Sequence, residues 1–405
     1  MVMENEFVEA VKDIKSGTAD LVPEDELVKK LKAAKKEDRP LRVKLGVDPS
    51  SPDLTLGHAV VLRKLRQLQD LGHQAVMVVG DFTRRIGDPS GKSETREIMG
   101  AKEIEENMKD YEKQVFRILD PESTEFRYNS EWLGKLTFED IIELTSKYTV
   151  ARMLERDDFA QRYRENKPIS VLEFLYPLAQ AYDSVAVDAD IELGGADQKF
   201  NLIVGRHIQR EFDQEPQIVL TVPLLTGTDG SKAMSQTRGN YIGINEEPET
   251  IYGKLMSISD DTMPEYFELL TDVSPGELGD LHPKKKKKRL AHEIVSNIYS
   301  EVEASHAQGE FERVFEQNKT PENLKEIKVP ADQIDEDGTA WILDLLELSG
   351  FVSSRSEARR LIDQGGVRLD DEKVTEVDFD PVIQDGRILQ VGKKDFARLV
   401  PEENC

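Results

Sequence analysis

The apolar positions in the first part of the chain follow two periodicities. Val43–Val47 and Gln74–Val79 are short apolar runs that predict two buried strands. Between them, Leu62, Leu65 and Leu68 recur every three residues, which predicts a helix with one apolar face. A strand, a helix and a strand in this order form a βαβ unit, so the sequence predicts an α/β fold with a parallel sheet.

The pattern changes further along the chain. It is mostly helical from about Phe138 to Val187, becomes strand-like at Ile218–Val222, and is helical and charged from Gly243 to about Asn318. Residues 320–338 are polar and acidic and contain two prolines, which is typical of a linker. We therefore predict an α/β domain with a helical insertion (1–245), a helical domain (246–319), a linker (320–338) and a small α+β module (339–401).

The composition limits the compartment and the class of protein. The one cysteine, Cys405, is the last residue, so no internal disulfide is expected and a reducing compartment fits best. We find no signal peptide and no apolar run near 18 residues, so a cytoplasmic protein without a membrane span is predicted. A net charge of −25 argues against a general nucleic-acid binder. Any RNA contact must therefore come from local basic patches.

Two glycine-containing turns follow the two predicted strands. Asp48 and Gly57–His58 lie where a strand leads into a helix, and helix N-termini favour phosphate. Gly80–Ser93 follows the other strand, where open α/β sheets place ligands. Gly87 and Gly91 are separated by three residues, not the four of a P-loop, so that type of site is not predicted. Either turn is also compatible with a purely structural connection.

Three polar side chains share one face of a predicted apolar helix. Tyr176, Gln180 and Asp183 are spaced by four and three residues, so they lie on the same side. Such a row can orient a polar small molecule, and a solvated amphipathic face is the ordinary alternative. The apolar neighbours Leu172 and Leu175 weaken that alternative. Two glycine-rich loops, at 194–201 and 227–241, complete the candidate segments.

In this order, the five segments resemble tyrosyl-tRNA synthetases, class I enzymes that join tyrosine to its tRNA. Gly46–Pro49 and Gly57–His58 resemble the family's first nucleotide-binding segment, Gly87–Gly91 its glycine loop, and the helix around Tyr176 its tyrosine pocket. Residues 350–368 are similar to the RNA-binding module named after small ribosomal subunit protein four. The resemblance implies a Rossmann-like catalytic domain, a helical anticodon-binding domain and this RNA-binding module.

The resemblance also implies roles for individual residues. Those implied to bind tyrosine are Lys44, Asp88, Tyr176, Gln180, Asp183 and Gln198. Those implied to bind ATP are Gly46, Asp48, Gly57, His58, Gly195, Asp197, Met234 and Ser235. The implied catalytic residues are His58, Lys92, Arg96 and Lys232. The residues implied to bind RNA are Arg355, Arg359, Arg360 and Arg368. The implied partners are tyrosine, ATP with Mg²⁺ and tRNA(Tyr), with no resident metal, and a homodimer is expected.

Two signature segments depart from the family pattern. Thr55 replaces the first histidine of one, and Ala233 and Gln236 replace both lysines of the other. Losing one phosphate-stabilising donor typically lowers a rate by roughly 100- to 1,000-fold. The sequence is therefore compatible with a tyrosine–tRNA ligase of altered or reduced activity, with an inactive paralogue that binds RNA, or with activation of a related amino acid such as tryptophan. The basic run Lys284–Arg289 is either a solvated helix end or a phosphate contact along the tRNA.

Overall fold

The chain folds into two compact units, residues 1–304 and 305–405. The structure is a computed structural model and describes residues 2–48, 53–87, 110–317, 320–321, 324–392 and 395–402. No helix within these ranges is both long enough and apolar enough to cross a bilayer.

The first unit contains a six-stranded sheet. Its strands are β1 (Asp20–Val22), β2 (Arg42–Val47), β3 (Gln74–Val79), β4 (Thr124–Tyr128), β5 (Ile191–Gly195) and β6 (Ile218–Val222). The spatial order is β1-β6-β5-β2-β3-β4, with β1 antiparallel to β6 and all other pairs parallel. The predicted βαβ unit is confirmed, because β2 and β3 pair in parallel on either side of a helix in sequence.

The first unit also contains a set of helices. They include α1 (Val2–Lys15), α2 (Glu24–Glu37), α3 (Leu56–Asp70), α4 (Ser130–Leu133), α5 (Phe138–Ser146), α6 (Val150–Met153), α7 (Asp157–Arg164), α8 (Val171–Ala186), α9 (Lys199–Glu211), α10 (Pro248–Ser257), α11 (Met263–Leu270), α12 (Pro275–Leu278) and α13 (Pro283–Ile298). A further helix, α14 (Glu301–Phe315), spans the boundary between the two units. Residues 246–304, which we predicted as part of a separate helical domain, belong to the same compact unit as the sheet.

Burial on both faces explains the apolar strands. All five residues of β6 and five of the six in β3 are buried, as expected for parallel strands covered by helices on both sides. On α3, the predicted apolar face is confirmed, because Leu62, Leu65 and Leu68 are buried. The layers therefore bring the carboxyl ends of the parallel strands to one edge of the sheet.

The second unit is a small α+β module. It contains β7 (Lys325–Val329), α15 (Ile342–Ser349), α16 (Arg355–Asp363), β8 (Val367–Leu369), β9 (Glu372–Lys373), β10 (Arg387–Val391) and β11 (Asp395–Pro401). The strands are ordered β7-β11-β10-β8-β9 around a core that contains Leu345, Ile362 and Leu389.

The predicted linker at 320–338 is wrong over residues 325–329. These residues form β7, which pairs in parallel with β11. Ile327 and Val329 point into the core of the module, whereas the charged residues between and before them are exposed. The alternation is short and lies among acidic residues, so the composition of the segment concealed it.

Candidate active site

A cleft of about 240 Å³ lies at the carboxyl ends of β2, β3 and β5. Open parallel sheets commonly bind ligands at this edge, because loops and helix N-termini meet there. The sequence-predicted residues that line the cleft are Gly46, Asp48, His58, Tyr176, Gln180, Asp183, Gly195 and Gln198. The structure thus brings together the first turn, the polar face of α8 and the loop after β5.

Other predicted residues lie elsewhere. The described candidates that do not line the cleft are Lys44, Gly57, Asp197, Lys232, Met234 and Ser235. Gly57 packs against the second signature segment, since a Cβ built on it would lie 3.7 Å from the Cβ of Met234. Three predicted residues lie outside the described ranges: Asp88, Lys92 and Arg96.

Asp183 places a carboxylate in the wall of the cleft. It is only 3% exposed and accepts hydrogen bonds from Trp132 Nε1 at 2.8 Å and from Asn129 Nδ2 at 3.3 Å. Burial raises the pKa of Asp183 to about 7, against the opposing effects of the Lys44 charge and of the two hydrogen bonds, while Glu192 raises it further. A fixed carboxylate with its donors on the protein side is a suitable acceptor for a ligand hydroxyl.

If a ligand hydroxyl donates to Asp183, the affinity of the protein for that ligand should rise as the pH increases through about 7. A hydroxyl donor favours the ionised carboxylate, so binding releases a proton and affinity falls when Asp183 becomes protonated. Burial lowers the pKa of His58, which also lines the cleft, so its titration belongs below its ordinary value of 6.5. Calorimetric titration with tyrosine, at pH values below and above 7, measures this change in affinity. Asp183→Asn should remove it, and a change that persists in that variant would assign it to another group.

Asp48 and Tyr176 form a second polar wall. The Tyr176 hydroxyl donates to Asp48 Oδ2 at 2.7 Å, and Thr83 Oγ1 donates to Asp48 Oδ1 at 3.2 Å. This packing requires a glycine at position 80, because a Cβ there would lie 1.9 Å from Asp48 Oδ1 and 2.5 Å from Thr83 Oγ1. The contacts fix the Asp48 carboxylate at the end of β2.

Lys44 lies beneath the cleft, and its position does not support the predicted direct contact with substrate. The side chain is fully buried, and its ammonium donates to the Gln180 carbonyl at 2.8 Å, to Ser184 Oγ at 2.8 Å and to Glu192 Oε1 at 2.9 Å. An ammonium has three protons, so these acceptors satisfy all of them. Lys44 therefore joins β2 and β5 to α8 from below.

Glu192→Ala is expected to destabilise the protein by about 3–5 kcal/mol, because it leaves a buried lysine without its counter-charge. The free energy of unfolding from urea denaturation measures this loss. Asp25→Ala, which breaks the exposed Lys29–Asp25 pair, is the matched control and should change stability little. A similar change in both variants would show that the buried pair is not special.

His58 is held by the residue that replaces a signature histidine. Its Nδ1 accepts the Thr55 backbone N–H at 3.1 Å and lies 2.9 Å from Thr55 Oγ1. A backbone N–H can only donate, so Nδ1 of the neutral ring carries no proton and Nε2 does. Burial lowers the pKa of His58 and so favours this neutral form. His58 is thus a neutral Nε2–H donor at the start of α3.

The second signature segment, which contains Ala233 and Gln236, contacts the first through uncharged groups. Gln236 lines the cleft, and its Nε2 donates to the Asp53 carbonyl at 2.8 Å. Asn240, which is buried, organises the loop by donating to Asp229 Oδ2 at 2.7 Å and accepting from Ser235 N at 2.9 Å. Backbone N–H groups lower the pKa of Asp229 to about 2, so this anchor is ionised at neutral pH. Ala233 and Gln236 add no positive charge at this rim.

Comparison with known proteins identifies the family. The sequence profile of class I tRNA synthetases (W and Y) matches residues 35–316, and that of the S4 domain matches residues 341–380. The tyrosine–tRNA ligase of Moorella thermoacetica is 50% identical over 406 residues, which cover 98% of this chain and 97% of that relative. The chain belongs to the tyrosyl-tRNA synthetases. The tyrosine–tRNA ligase of Thermotoga maritima is also 50% identical, over 96% of this chain and 97% of its own.

Solved structures of the family agree with the fold. A truncated mitochondrial tyrosyl-tRNA synthetase from Aspergillus nidulans has a TM-score of 0.62 at 21% identity, over 76% of this chain and 94% of that one. A tyrosyl-tRNA synthetase from Archaeoglobus fulgidus, solved with L-tyrosine, has a TM-score of 0.59 at 22% identity, over 75% of this chain and 100% of that one. The predicted Rossmann-like class and S4-like module are therefore confirmed for this member of the family.

The predicted RNA-binding arginines of the S4 module have different surroundings. Arg355, at the start of α16, pairs with Asp344 at 2.6 Å and with Glu347 at 2.9 Å, both on α15. Arg368 donates to the Asp371 carbonyl at 2.7 Å. Arg359 and Arg360 are exposed on α16, and Arg360 pairs with Glu357 at 3.8 Å. Acidic side chains therefore lie beside both Arg355 and Arg360, and RNA binding by the four arginines stays a prediction.

Sequence reasoning missed the residues that support the cleft from behind. Asn129 and Trp132 follow β4, which was not predicted. Glu192 carries no motif of its own, and Asn201 ends the glycine-rich loop 194–201 but was given no role. One signal was available, because Asn129 directly follows Thr124–Tyr128, a strand-like run with alternating apolar positions. Buried polar partners such as Glu192 become visible only when the elements are packed together.

Proposed function

We propose that this chain is a tyrosine–tRNA ligase that forms tyrosyl-adenylate from tyrosine and Mg²⁺–ATP and then transfers the tyrosyl group to tRNA(Tyr). The observation that carries the proposal is the buried Asp183 carboxylate, held by Trp132 and Asn129 in the wall of a cleft at the carboxyl ends of the strands. A phenol-bearing amino acid supplies the hydroxyl donor that this acceptor requires. A site that pairs a substrate hydroxyl disfavours phenylalanine, since the carboxylate would be cut off from water without gaining the donor that tyrosine brings.

Activation needs positioning rather than a base. A tyrosine carboxylate oxygen attacks the α-phosphorus of ATP. The bond between that phosphorus and the oxygen that bridges to the β-phosphate breaks, and pyrophosphate leaves. The attacking group is already an anion, so orientation and stabilisation of phosphate charge supply the rate. His58 Nε2–H is a donor at a helix N-terminus suited to a phosphate oxygen, and Asp48 and Tyr176 shape the side of the cleft. In the second step, a terminal ribose hydroxyl of the tRNA attacks the tyrosyl carbonyl carbon, the bond from that carbon to the phosphate oxygen breaks, and AMP and the hydroxyl proton are released.

The altered signature segments lower the expected rate of the first step. Thr55, Ala233 and Gln236 cannot provide the positive charge or ring donor that the family pattern has at these positions. The sequence-based alternative, an inactive paralogue that only binds RNA, is not favoured, because the relatives that match this chain over nearly its full length are tyrosine–tRNA ligases. Slow activation is therefore the expected behaviour.

Tyrosine-dependent exchange of labelled pyrophosphate into ATP tests the proposal. Exchange above the tyrosine-free background is expected, with little or none for phenylalanine or tryptophan at equal concentration. Charging of tRNA(Tyr) should follow with the same amino-acid preference. Absence of exchange at saturating tyrosine and ATP would overturn the ligase assignment, and exchange driven by tryptophan would assign a different substrate. The homodimer and the cytoplasmic location stay predictions.

A further inference from the structure

Five buried or half-buried side chains form a row of hydrogen bonds behind the cleft. Gln180 Nε2 donates to Glu192 Oε1 at 3.2 Å, and Gln180 Oε1 accepts from Asn201 Nδ2 at 3.0 Å. The same Asn201 nitrogen donates to Gln198 Oε1 at 3.1 Å, and Asn201 Oδ1 accepts from Arg156 Nη1 at 3.3 Å. Asn201, with 2% of its surface exposed, is the centre of this row, and Gln180 and Gln198 both line the cleft.

The row of hydrogen bonds ends in an acceptor, Glu192, on one side and in a donor, Arg156, on the other. Glu192 accepts from Lys44, Gln180, Ser184 and Gln217, so its carboxylate acts only as an acceptor. Arg156 has a guanidinium, which can only donate. If the amide groups were rotated by 180°, Gln180 would direct its oxygen at Glu192, and Asn201 would direct its nitrogen at Arg156. Both contacts would be repulsive, so the charged ends fix one orientation of every amide between them.

This orientation decides what Gln198 presents to a ligand. Its Oε1 accepts from Asn201, so the amide nitrogen is the end of the group that is not directed at Asn201. Gln198 lies on the wall formed by Gly194 and Gly195, at the end of β5. A nitrogen donor there suits a carboxylate or phosphate oxygen, whereas an amide oxygen would repel it.

We propose that Arg156 and the Lys44–Glu192 pair are positioning residues for tyrosine activation, because through Asn201 they hold Gln198 with its amide nitrogen towards the carboxyl and phosphate oxygens of the bound tyrosyl-adenylate. The inference rests on the proposed function. It gives the buried Lys44–Glu192 pair and Arg156 a role in the chemistry, although none of the three contacts the reacting atoms.

Asn201→Asp and Asn201→Ala separate positioning from simple packing. Aspartate has the shape of asparagine and gains an ion pair with Arg156, but its two oxygens require both glutamines to turn their nitrogens towards it. Alanine removes the constraint and leaves a cavity without inverting anything. A role in packing alone predicts that alanine is the more damaging change. Amide positioning predicts the reverse order.

The affinity for a non-hydrolysable sulfamate analogue of tyrosyl-adenylate, measured by calorimetry, is the first readout. Asn201→Asp is expected to weaken binding by roughly 10- to 100-fold, and Asn201→Ala by a smaller factor, since an inverted donor costs more than a missing one. In pyrophosphate exchange, Asn201→Asp should lower kcat more than it raises the KM for tyrosine. Asn297→Asp, an exposed change of the same charge, is the control and should leave both readouts unchanged.

The outcomes are distinguishable. No binding of the analogue by the parent protein would overturn the proposed function itself. If the parent protein binds the analogue, but Asn201→Ala binds it no more tightly than Asn201→Asp does, the inference alone is overturned. Thermal unfolding shows whether each variant is folded. If Asn201→Asp does not fold, Arg156→Lys against Arg156→Met decides, because lysine retains a donor and should keep most of the affinity that methionine loses. Equal losses in that pair would also overturn the inference.

Discussion

An Ala233→Lys and Gln236→Lys double variant is expected to exchange pyrophosphate into ATP about 100-fold or more faster than the parent protein, because one well-placed phosphate donor is typically worth roughly 100- to 1,000-fold. Position 236 lines the cleft, where the Gln236 amide now donates to the Asp53 carbonyl at 2.8 Å. An ammonium there supplies a charge-assisted donor to the departing pyrophosphate, which a neutral amide cannot match. Most of the gain should be in kcat.

The control for this variant carries Ser231→Lys and Thr237→Lys. These changes add the same two charges at exposed positions of the same loop. A general increase in positive charge should speed both variants equally, mainly by attracting ATP. If the double lysine variant is no faster than this control, or no faster than the parent, another cation already serves the phosphates.

Asp183→Asn is expected to lower kcat/KM for tyrosine by roughly 10- to 150-fold, the effect of losing a hydrogen bond to a charged group. The replacement is similar in shape, but an amide has one acceptor oxygen, whereas Trp132 Nε1 and Asn129 Nδ2 both donate to this side chain. The amide nitrogen must therefore face a donor or the substrate hydroxyl. The preference for tyrosine over phenylalanine should also fall, because only tyrosine has a hydroxyl whose hydrogen bond the substitution weakens.

Parallel exchange assays with tyrosine and phenylalanine measure this preference. Asp188→Asn makes the same change at an exposed position shortly after α8 and should leave it intact. Unchanged discrimination in Asp183→Asn would show that the hydroxyl is recognised elsewhere, and with it the main support for the proposed substrate would be lost.

The sequence was sufficient for features that depend on local periodicity or on a contiguous motif. The βαβ unit followed from two apolar runs around an amphipathic helix, and the shared face of Tyr176, Gln180 and Asp183 followed from their spacing, because helix and strand geometry is the same in every protein. Family membership followed from several segments in a fixed order. The strand at 325–329 did not, since an edge strand of five residues with charged alternate positions resembles a polar linker.

Only the tertiary structure decided what each polar side chain meets. Lys44 was predicted to contact tyrosine, and packing instead places its ammonium under α8, against Glu192, a residue 148 positions away. Asn129, Trp132 and Asn201 acquire their roles in the same way, from partners distant in sequence. A buried charge or amide must find its counterpart wherever the fold provides one, because an unpaired polar group is costly away from water. Periodicity along the chain specifies which face is buried, but it does not specify which atoms meet there.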